Sequence, residues 1–341
     1  MLAAAIIAAL VTSQITPYVR TWAEKKGLID QPDSRRINQE PMPRAGGIAI
    51  FLGFLAASII TISLRQISSG KQDWTLPMAG ALISVTLAAL LGLADDIYDL
   101  SAGKQAMALA LIGLTLYLFG VRIEGVSNPL QTAFGAHYNP TLNWHALSPA
   151  VAILFTIIWV FTVIKTVDAI DGVDGLAAGV CAISAATLAL MATQLHSNDG
   201  PGILPYDGPT LALLAASIVG ACLGFLRHNY HPARIIMGTV GAWSLGAALA
   251  AVSILGAFKV AAAVSVLVPV LVLGVPIFDY IHVVTSRLMA RAPLTKADKR
   301  HLHHLLLDRG WSQRQVTLFI YTLELALCVM AFVIFQITRA H

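Results

Sequence analysis

A chain of 341 residues in which 57% are hydrophobic and only 12% charged carries about half the charge of an average soluble domain, which is about 25%. With a mean hydropathy of +0.74, this excludes an ordinary soluble protein and points to a polytopic membrane protein. The formal charge of +4 and the pI near 9.0 do not imply nucleic-acid binding, because where the cations sit matters more here than their sum.

Apolar runs long enough to cross roughly 30 Å of hydrocarbon lie at 2–19, 46–64, 76–94, 105–121, 149–164, 176–195, 209–226, 239–258, 260–284 and 315–337. The expected fold is therefore all-α, a single integral-membrane domain over 1–341 built as a bundle of about ten transmembrane helices. No basic region precedes the first run and no cleavage site follows it, so that segment is expected to remain a helix. Five of the 22 Lys and Arg residues, Arg65, Lys71, Arg122, Lys259 and Arg339, fall on one face. The other 17 occupy the loops after spans one, three, five, seven and nine. The positive-inside rule makes those loops cytoplasmic and both termini external, with an active-site cleft on the cytoplasmic face.

Between the first two spans runs GLIDQPDSRRINQEPMPRAGG, Gly27 to Gly47. Its basic residues and Gly pair, leading into a helix, could cradle an anion at the helix N-terminus. The alternative, favoured on this stretch alone, is a basic anchor with Pro and Gly as turn formers. After the third span comes LGLADDIYDLSAGK. The adjacent carboxylates Asp95 and Asp96 repel each other and call for a cation, and Lys104 is too far along to neutralise both. The segment 126–148, with Trp144 and His145, reads as an external loop carrying an interfacial aromatic.

The stretch VDAIDGVDGLAAG, Val167 to Gly179, places Asp168, Asp171 and Asp174 at every third residue, along one side of about two helical turns. A carboxylate in a membrane costs roughly 2.5 to 3.5 kcal/mol at mid-bilayer, less near the surface, unless a cation meets it. A divalent metal or a basic substrate clamp would do so. The plainer reading is a set of solvated loop acids with Gly172 and Gly175 as turns. The second acid cluster, ending another span on the same face, weighs against it, and the two are expected to meet.

Farther on, FLRHNYHPARIIMGTVGAWSLG, Phe225 to Gly246, forms the fourth cytoplasmic loop, and HLHHLLLDRG lies in the fifth. His301, His303 and His304 stand beside Lys299, Arg300 and Arg309. With no Cys nearby and basic neighbours, hydrogen bonding to an anionic or carbonyl-bearing substrate suits them better than zinc. Cys181, Cys222 and Cys328, far apart in apolar spans, read as packing residues. Asp279 and His282 are expected to pair with each other or with Arg287. Glu324, in the last span, has no partner that the sequence suggests, and ionisable residues in spans are functional candidates by default.

Together, PMPRAGG at 41–47, DDIYDLS at 95–101, DGVDGLAAG at 171–179, NYHPARIIMG at 229–238, GVPIFDYIHVV at 274–284 and DKRHLHHLLLDRG at 298–310 resemble the polyprenyl-phosphate N-acetylhexosamine-1-phosphate transferase family. The resemblance covers nearly the whole chain, and the HLHHLLL form looks like the branch that uses UDP-N-acetylglucosamine. It implies transfer of a sugar 1-phosphate from a UDP-sugar to undecaprenyl phosphate at the cytoplasmic face of the inner membrane, with magnesium, or manganese in its place. It further implies catalytic roles for Asp95, Asp96, Asp171 and Asp174. Metal ligation falls to Asp96, Asp168 and Asp171, and substrate binding to Arg44, Lys165, Asn229, Arg300, His301, His303 and His304. A homodimer is the assembly left open.

The sequence departs from the family pattern at several of these positions. Where the family has Gly-Asp-x-Gly-Ser, this chain has Gly238-Thr239-Val240-Gly241-Ala242, so a metal carboxylate is replaced by a hydroxyl. Two family asparagines appear as Lys165 and Asp168, and a first-loop histidine as Asn38. Either Asp168 restores the lost charge, or Lys165 stands in the site as an internal cation and the chain is a catalytically silent relative with a binding or regulatory role. A transporter, the reading that Glu324 and Asp279 would suggest, lacks any visible inverted repeat.

Overall fold

The computed structural model describes residues 1–31, 40–123, 125–127, 144–195, 208–256, 264–291 and 300–339. Asn38 and Lys299 lie outside them. Helix follows apolar composition nearly everywhere, because a chain in hydrocarbon must satisfy its backbone polar groups internally. The helices are α1 (Leu2–Lys26), α2 (Gly47–Ser69), α3 (Leu76–Tyr98), α4 (Ala102–Leu118), α5 (Pro149–Ile170), α6 (Leu176–Ala192), α7 (Gly208–Asn229), α8 (Gly238–Leu255), α9 (Val264–Val272), α10 (Gly274–Met289), α11 (Leu302–Asp308) and α12 (Gln313–Arg339). Two short antiparallel ribbons complete the described residues: β1 (Ile29–Asp30) with β2 (Met42–Pro43), and β3 (Gly125–Ser127) with β4 (Trp144–Ala146).

Seven helices, α1, α2, α3, α5, α7, α8 and α12, are long and apolar enough to cross a membrane, while α4 and α6 are apolar but have 17 residues each. The expected span 260–284 is not one continuous helix. It breaks at Leu273 between α9 and α10, and residues 257–263 lie outside the described ones. Fully buried Glu324 of α12 meets this break. One carboxylate oxygen accepts the Val275 N–H at 2.9 Å and the other the Ser184 hydroxyl of α6 at 2.7 Å. A helix start leaves unpaired N–H groups, and in lipid such a group costs several kcal/mol. Glu324 therefore caps the restarted helix from across the bundle.

The core is organised around α8, every residue of which is buried. It packs on α2, α3 and α5, while α7 packs on α1, α2 and α6. Its sequence, GTVGAWSLGAALAAVSIL, is rich in Gly and Ala, which let helix backbones approach closely without lipid between them. The contact with α3 shows this directly: a Cβ at Gly92 would lie 2.8 Å from the Val240 Cα. That approach brings the end of α3, with its two aspartates, against the first turn of α8. On the opposite face, Arg65 pairs with Asp73 at 2.8 Å and Thr210 donates to Asp73 at 2.6 Å, tying α2 and α7 to the loop before α3.

Candidate active site at the first turn of α8

The loop entering α2 is built so that Arg44 reaches α8. The β1–β2 ribbon is extended by an Arg44 N–H to Leu28 carbonyl bond of 2.9 Å. Pro43, Gly46 and Gly47 then pair with the Ile236–Met237 segment, the Gly46 and Gly47 N–H groups donating to Ile236 and Met237 carbonyls at 2.9 and 2.8 Å. These amides are thereby consumed inside the protein, so the anion-cradle reading of the Gly pair does not hold. What the segment presents is the Arg44 side chain. Its Nε lies 2.8 Å from Asp96 Oδ1, and Nη2 donates to the Thr239 hydroxyl at 3.2 Å.

Asp96 has a fully buried carboxylate that also accepts the Thr239 and Val240 N–H groups at 2.9 and 3.0 Å. It thus caps α8, where a negative charge is favoured. Gly238, just before these amides, has φ +74°, and a Cβ there would lie 2.8 Å from Asp96 Oδ2. Asp171 lies close enough to Asp96 and Arg44 for the charges of both to act on it. The two acid clusters therefore meet, as expected from their shared face.

Asp171, immediately beyond α5, is the carboxylate most affected by this enclosure. Burial pushes its pKa up to about 7; Asp168 and Asp96 add to the rise, while Arg44 and the Gly238 amide oppose it. Asp168, one turn earlier, is paired with Lys165 at 3.0 Å. The Lys165 ammonium also donates to Gln105 at 2.9 Å and lies 5.6 Å from the centre of the fully buried Trp243 ring. Gln105 in turn donates to Asp95 at 2.8 Å, and the Leu100 N–H reaches the same oxygen at 3.2 Å. Asp95 thus closes the turn after α3.

Asp174 and Asn229 point elsewhere. The Asp174 carboxylate accepts His231 Nδ1 at 2.8 Å and the Ala233 N–H at 3.0 Å. Asn229 accepts the Gly175 N–H at 3.1 Å and donates to the Ile235 carbonyl at 2.9 Å. With the Tyr321 hydroxyl on the Gly175 carbonyl at 2.6 Å, these bonds fix the acid loop to α7 and α12. As placed, both residues brace the loop, and the period of three separates Asp171, which lies toward Asp96 and Arg44, from Asp174.

The histidine loop closes over the acid loop. A Cβ at Gly172 would lie 2.8 Å from His303 Nε2. His303 is buried, with the His301 ring stacked at 5.6 Å and the His304 ring at 4.5 Å. Burial lowers its pKa to about 3, the neighbouring imidazoles adding to the effect and Asp279 opposing it, so His303 is neutral at pH 7. The partner of Asp279 is His301, at 2.8 Å, with the Leu302 N–H at 2.7 Å. This corrects the expected pairing of Asp279 with His282 or Arg287. Arg300 donates to the Ser286 carbonyl at 2.9 Å. Sequence reasoning missed Gln105, His231 and Trp243. His231 stood in a recognised motif, whereas Gln105 and Trp243 carry no local signal.

The family resemblance implies a magnesium ion among these donors. It takes about six hard oxygens near 2.1 Å in octahedral array, of which a protein supplies one or two carboxylates and water or substrate phosphate the rest. Among the described residues no three Asp, Glu, His or Cys side chains gather at metal-holding spacing. Both Asp96 oxygens are bonded within the protein, Asp168 carries Lys165, and the Thr239 hydroxyl faces Arg44. Of the three expected carboxylate ligands only Asp171 is left outside these pairs, so as placed the donor set fits the ion poorly.

Membrane-length helices meeting at a polar end lined with aspartates, Arg44, Lys165 and histidines define a polytopic membrane protein with a charged site at one face. The chain belongs to glycosyl transferase family 4, whose sequence profile matches residues 78–257. Over 330 residues it is 32% identical to a "probable undecaprenyl-phosphate N-acetylglucosaminyl 1-phosphate transferase" of Bacillus subtilis, covering 96% of this chain and 83% of the relative. A decaprenyl-phosphate N-acetylglucosaminephosphotransferase of Mycobacterium tuberculosis is 32% identical over 93% of this chain and 78% of its own length. A phospho-N-acetylmuramoyl-pentapeptide-transferase of Mycolicibacterium vanbaalenii is 29% identical over 98% and 96%.

Proposed function

We propose that the protein transfers N-acetylglucosamine 1-phosphate from UDP-N-acetylglucosamine to undecaprenyl phosphate at the cytoplasmic face of the inner membrane, as the first membrane step of cell-envelope polysaccharide synthesis. The observation that carries this reading is the meeting of Arg44, Asp96 and Asp171 near the first turn of α8, with Lys165 on Asp168 and His303 against Gly172, in a chain 32% identical along 96% of its length to a relative so named. A lipid-phosphate oxygen attacks the β-phosphorus of the UDP-sugar. The bond from that phosphorus to the oxygen bridging the two phosphates breaks, and UMP leaves with the electron pair.

In this reading the chain contributes positioning and charge, which carry most of phosphoryl-transfer catalysis. Arg44 has five N–H donors, of which Asp96 and Thr239 take one each. Those remaining suit phosphate oxygens. Asp171, with a pKa near 7, can hold the residual proton of a lipid phosphate whose second pKa is about 6. Neutral His303 lies over the acid loop as a hydrogen-bonding group for the sugar or its phosphate.

The pairs Arg44–Asp96 and Lys165–Asp168 favour a second reading, a silent relative that binds the substrates without turning them over. Radiolabel transfer from UDP-N-acetylglucosamine into extracted lipid, with purified protein and undecaprenyl phosphate, separates the two. Labelled lipid is expected. Its absence with that donor, UDP-N-acetylgalactosamine and UDP-N-acetylfucosamine alike, with and without magnesium, rejects the transferase.

A further inference from the structure

We infer that the cation of this site is built into the chain: Arg44 and Lys165 stand where a divalent metal would be needed, and the site takes a nucleoside diphosphate without one. The inference rests on the substrate class just proposed, but its central test does not. Three facts carry it. Each of the two cations is bonded to a different acid cluster, Arg44 to Asp96 at 2.8 Å and Lys165 to Asp168 at 3.0 Å, so neither cluster lacks a counter-charge. Both are also held by further contacts, Arg44 through a loop paired with residues 236–237 and Lys165 by Gln105 and the Trp243 ring. Finally, Arg44 is 29% exposed while the Asp96 carboxylate it holds is closed off completely; in the other pair the two partners share the surface, Lys165 at 20% and Asp168 at 28%. A ligand arriving from solvent at the first turn of α8 therefore meets the Arg44 guanidinium before it meets Asp96. That order suits a phosphate oxygen and repels a metal ion.

The test uses the full chain in detergent or nanodiscs, with Mn2+ as the metal probe and UDP as the nucleotide probe. Electron paramagnetic resonance of added Mn2+ should show no saturable site tighter than about 1 mM, the weak end of carboxylate sites. UDP affinity should be the same in chelator and in magnesium to within about twofold. Lys165→Gln uncovers Asp168 and, combined with Thr239→Asp, should create a Mn2+ site. Lys165→Arg, which keeps the charge, should not. A wild-type Mn2+ site tighter than that limit, abolished by Asp171→Asn, overturns the inference. So does a loss of UDP affinity of tenfold or more in chelator. If UDP does not bind under any condition, the substrate reading fails, and the Mn2+ titration still decides the question of the metal. Should the double variant not fold, as judged by gel filtration, the wild-type titration decides alone.

Discussion

His303 shows how a single residue links sequence, burial and pH. Its imidazole is 2% exposed and its pKa is driven from 6.5 to about 3. The folded protein therefore binds fewer protons at this position than the unfolded chain. The sign follows from linkage: the stability from burying the neutral ring is complete above the unfolded pKa of about 6.5. It is lost progressively as pH falls from there toward about 3. Thermal unfolding between pH 7 and pH 5 should show a falling midpoint in the wild type and a shallower fall in His303→Gln. Equal slopes would mean that another group governs acid sensitivity. At pH 7 His303→Ala should also weaken UDP-sugar affinity and turnover; no change in either would reduce the loop to a structural role.

Asp174 belongs to the same scale. Because its carboxylate holds His231 Nδ1 and the Ala233 N–H, Asp174→Ala should destabilise the protein by about 1 kcal/mol through the part-buried groups left unpaired. Asp171→Asn, by contrast, should leave the unfolding midpoint nearly unchanged while reducing transfer. Should Asp174→Ala keep full stability and lose only activity, the bracing role assigned here is wrong.

Among the elements, the broken pair α9–α10 is where a membrane helix departs most from the run of apolar residues that encodes it. Continuous hydrophobicity from 260 to 284 suggests one span, yet the chain restarts at Gly274 with Glu324 accepting the Val275 N–H. Glu324→Leu removes that acceptor and the Ser184 contact together, and should lower stability by about 1–3 kcal/mol. Ser184→Ala, which deletes one neutral donor, should cost about 1 kcal/mol. Unfolding in detergent followed by far-ultraviolet circular dichroism would rank them, and a neutral Glu324→Leu would show that the break needs no cap. The α3–α8 contact is the other element of consequence. Gly92→Val would force Val240 away and should lose activity by displacing Asp96 from the α8 amides.

For the whole molecule the governing quantity is the division of Lys and Arg between faces. The ends of α3 and α5 and the starts of α2 and α8 lie together in the structure, so these loops share one face, and which face that is can be tested. Cys181, Cys222 and Cys328 are buried, so cysteines introduced at exposed positions should label over a low background. Lys104→Cys should react from the cytoplasmic side and Lys71→Cys from the outside. The reverse pattern would invert the topology, and with it the face proposed for catalysis.

By itself the sequence determined the class of protein, the places of its apolar helices, the two acid clusters on one face and the family. Each follows from a local or additive property: hydrocarbon admits only long apolar runs or internally bonded backbone, and charge asymmetry is counted loop by loop. Tertiary structure alone decided which partner each charged group takes. Lys165 could have met Asp171 but meets Asp168 and Gln105, and Asp279 meets His301 rather than the nearby His282. Glu324 finds an N–H 49 residues away and a hydroxyl 140 residues away. Successive helix positions differ by about 100° of rotation, so spacing places a carboxylate on a face without saying what that face meets. That depends on how closely the helices pack, and here the Gly and Ala residues of α8 set the distance.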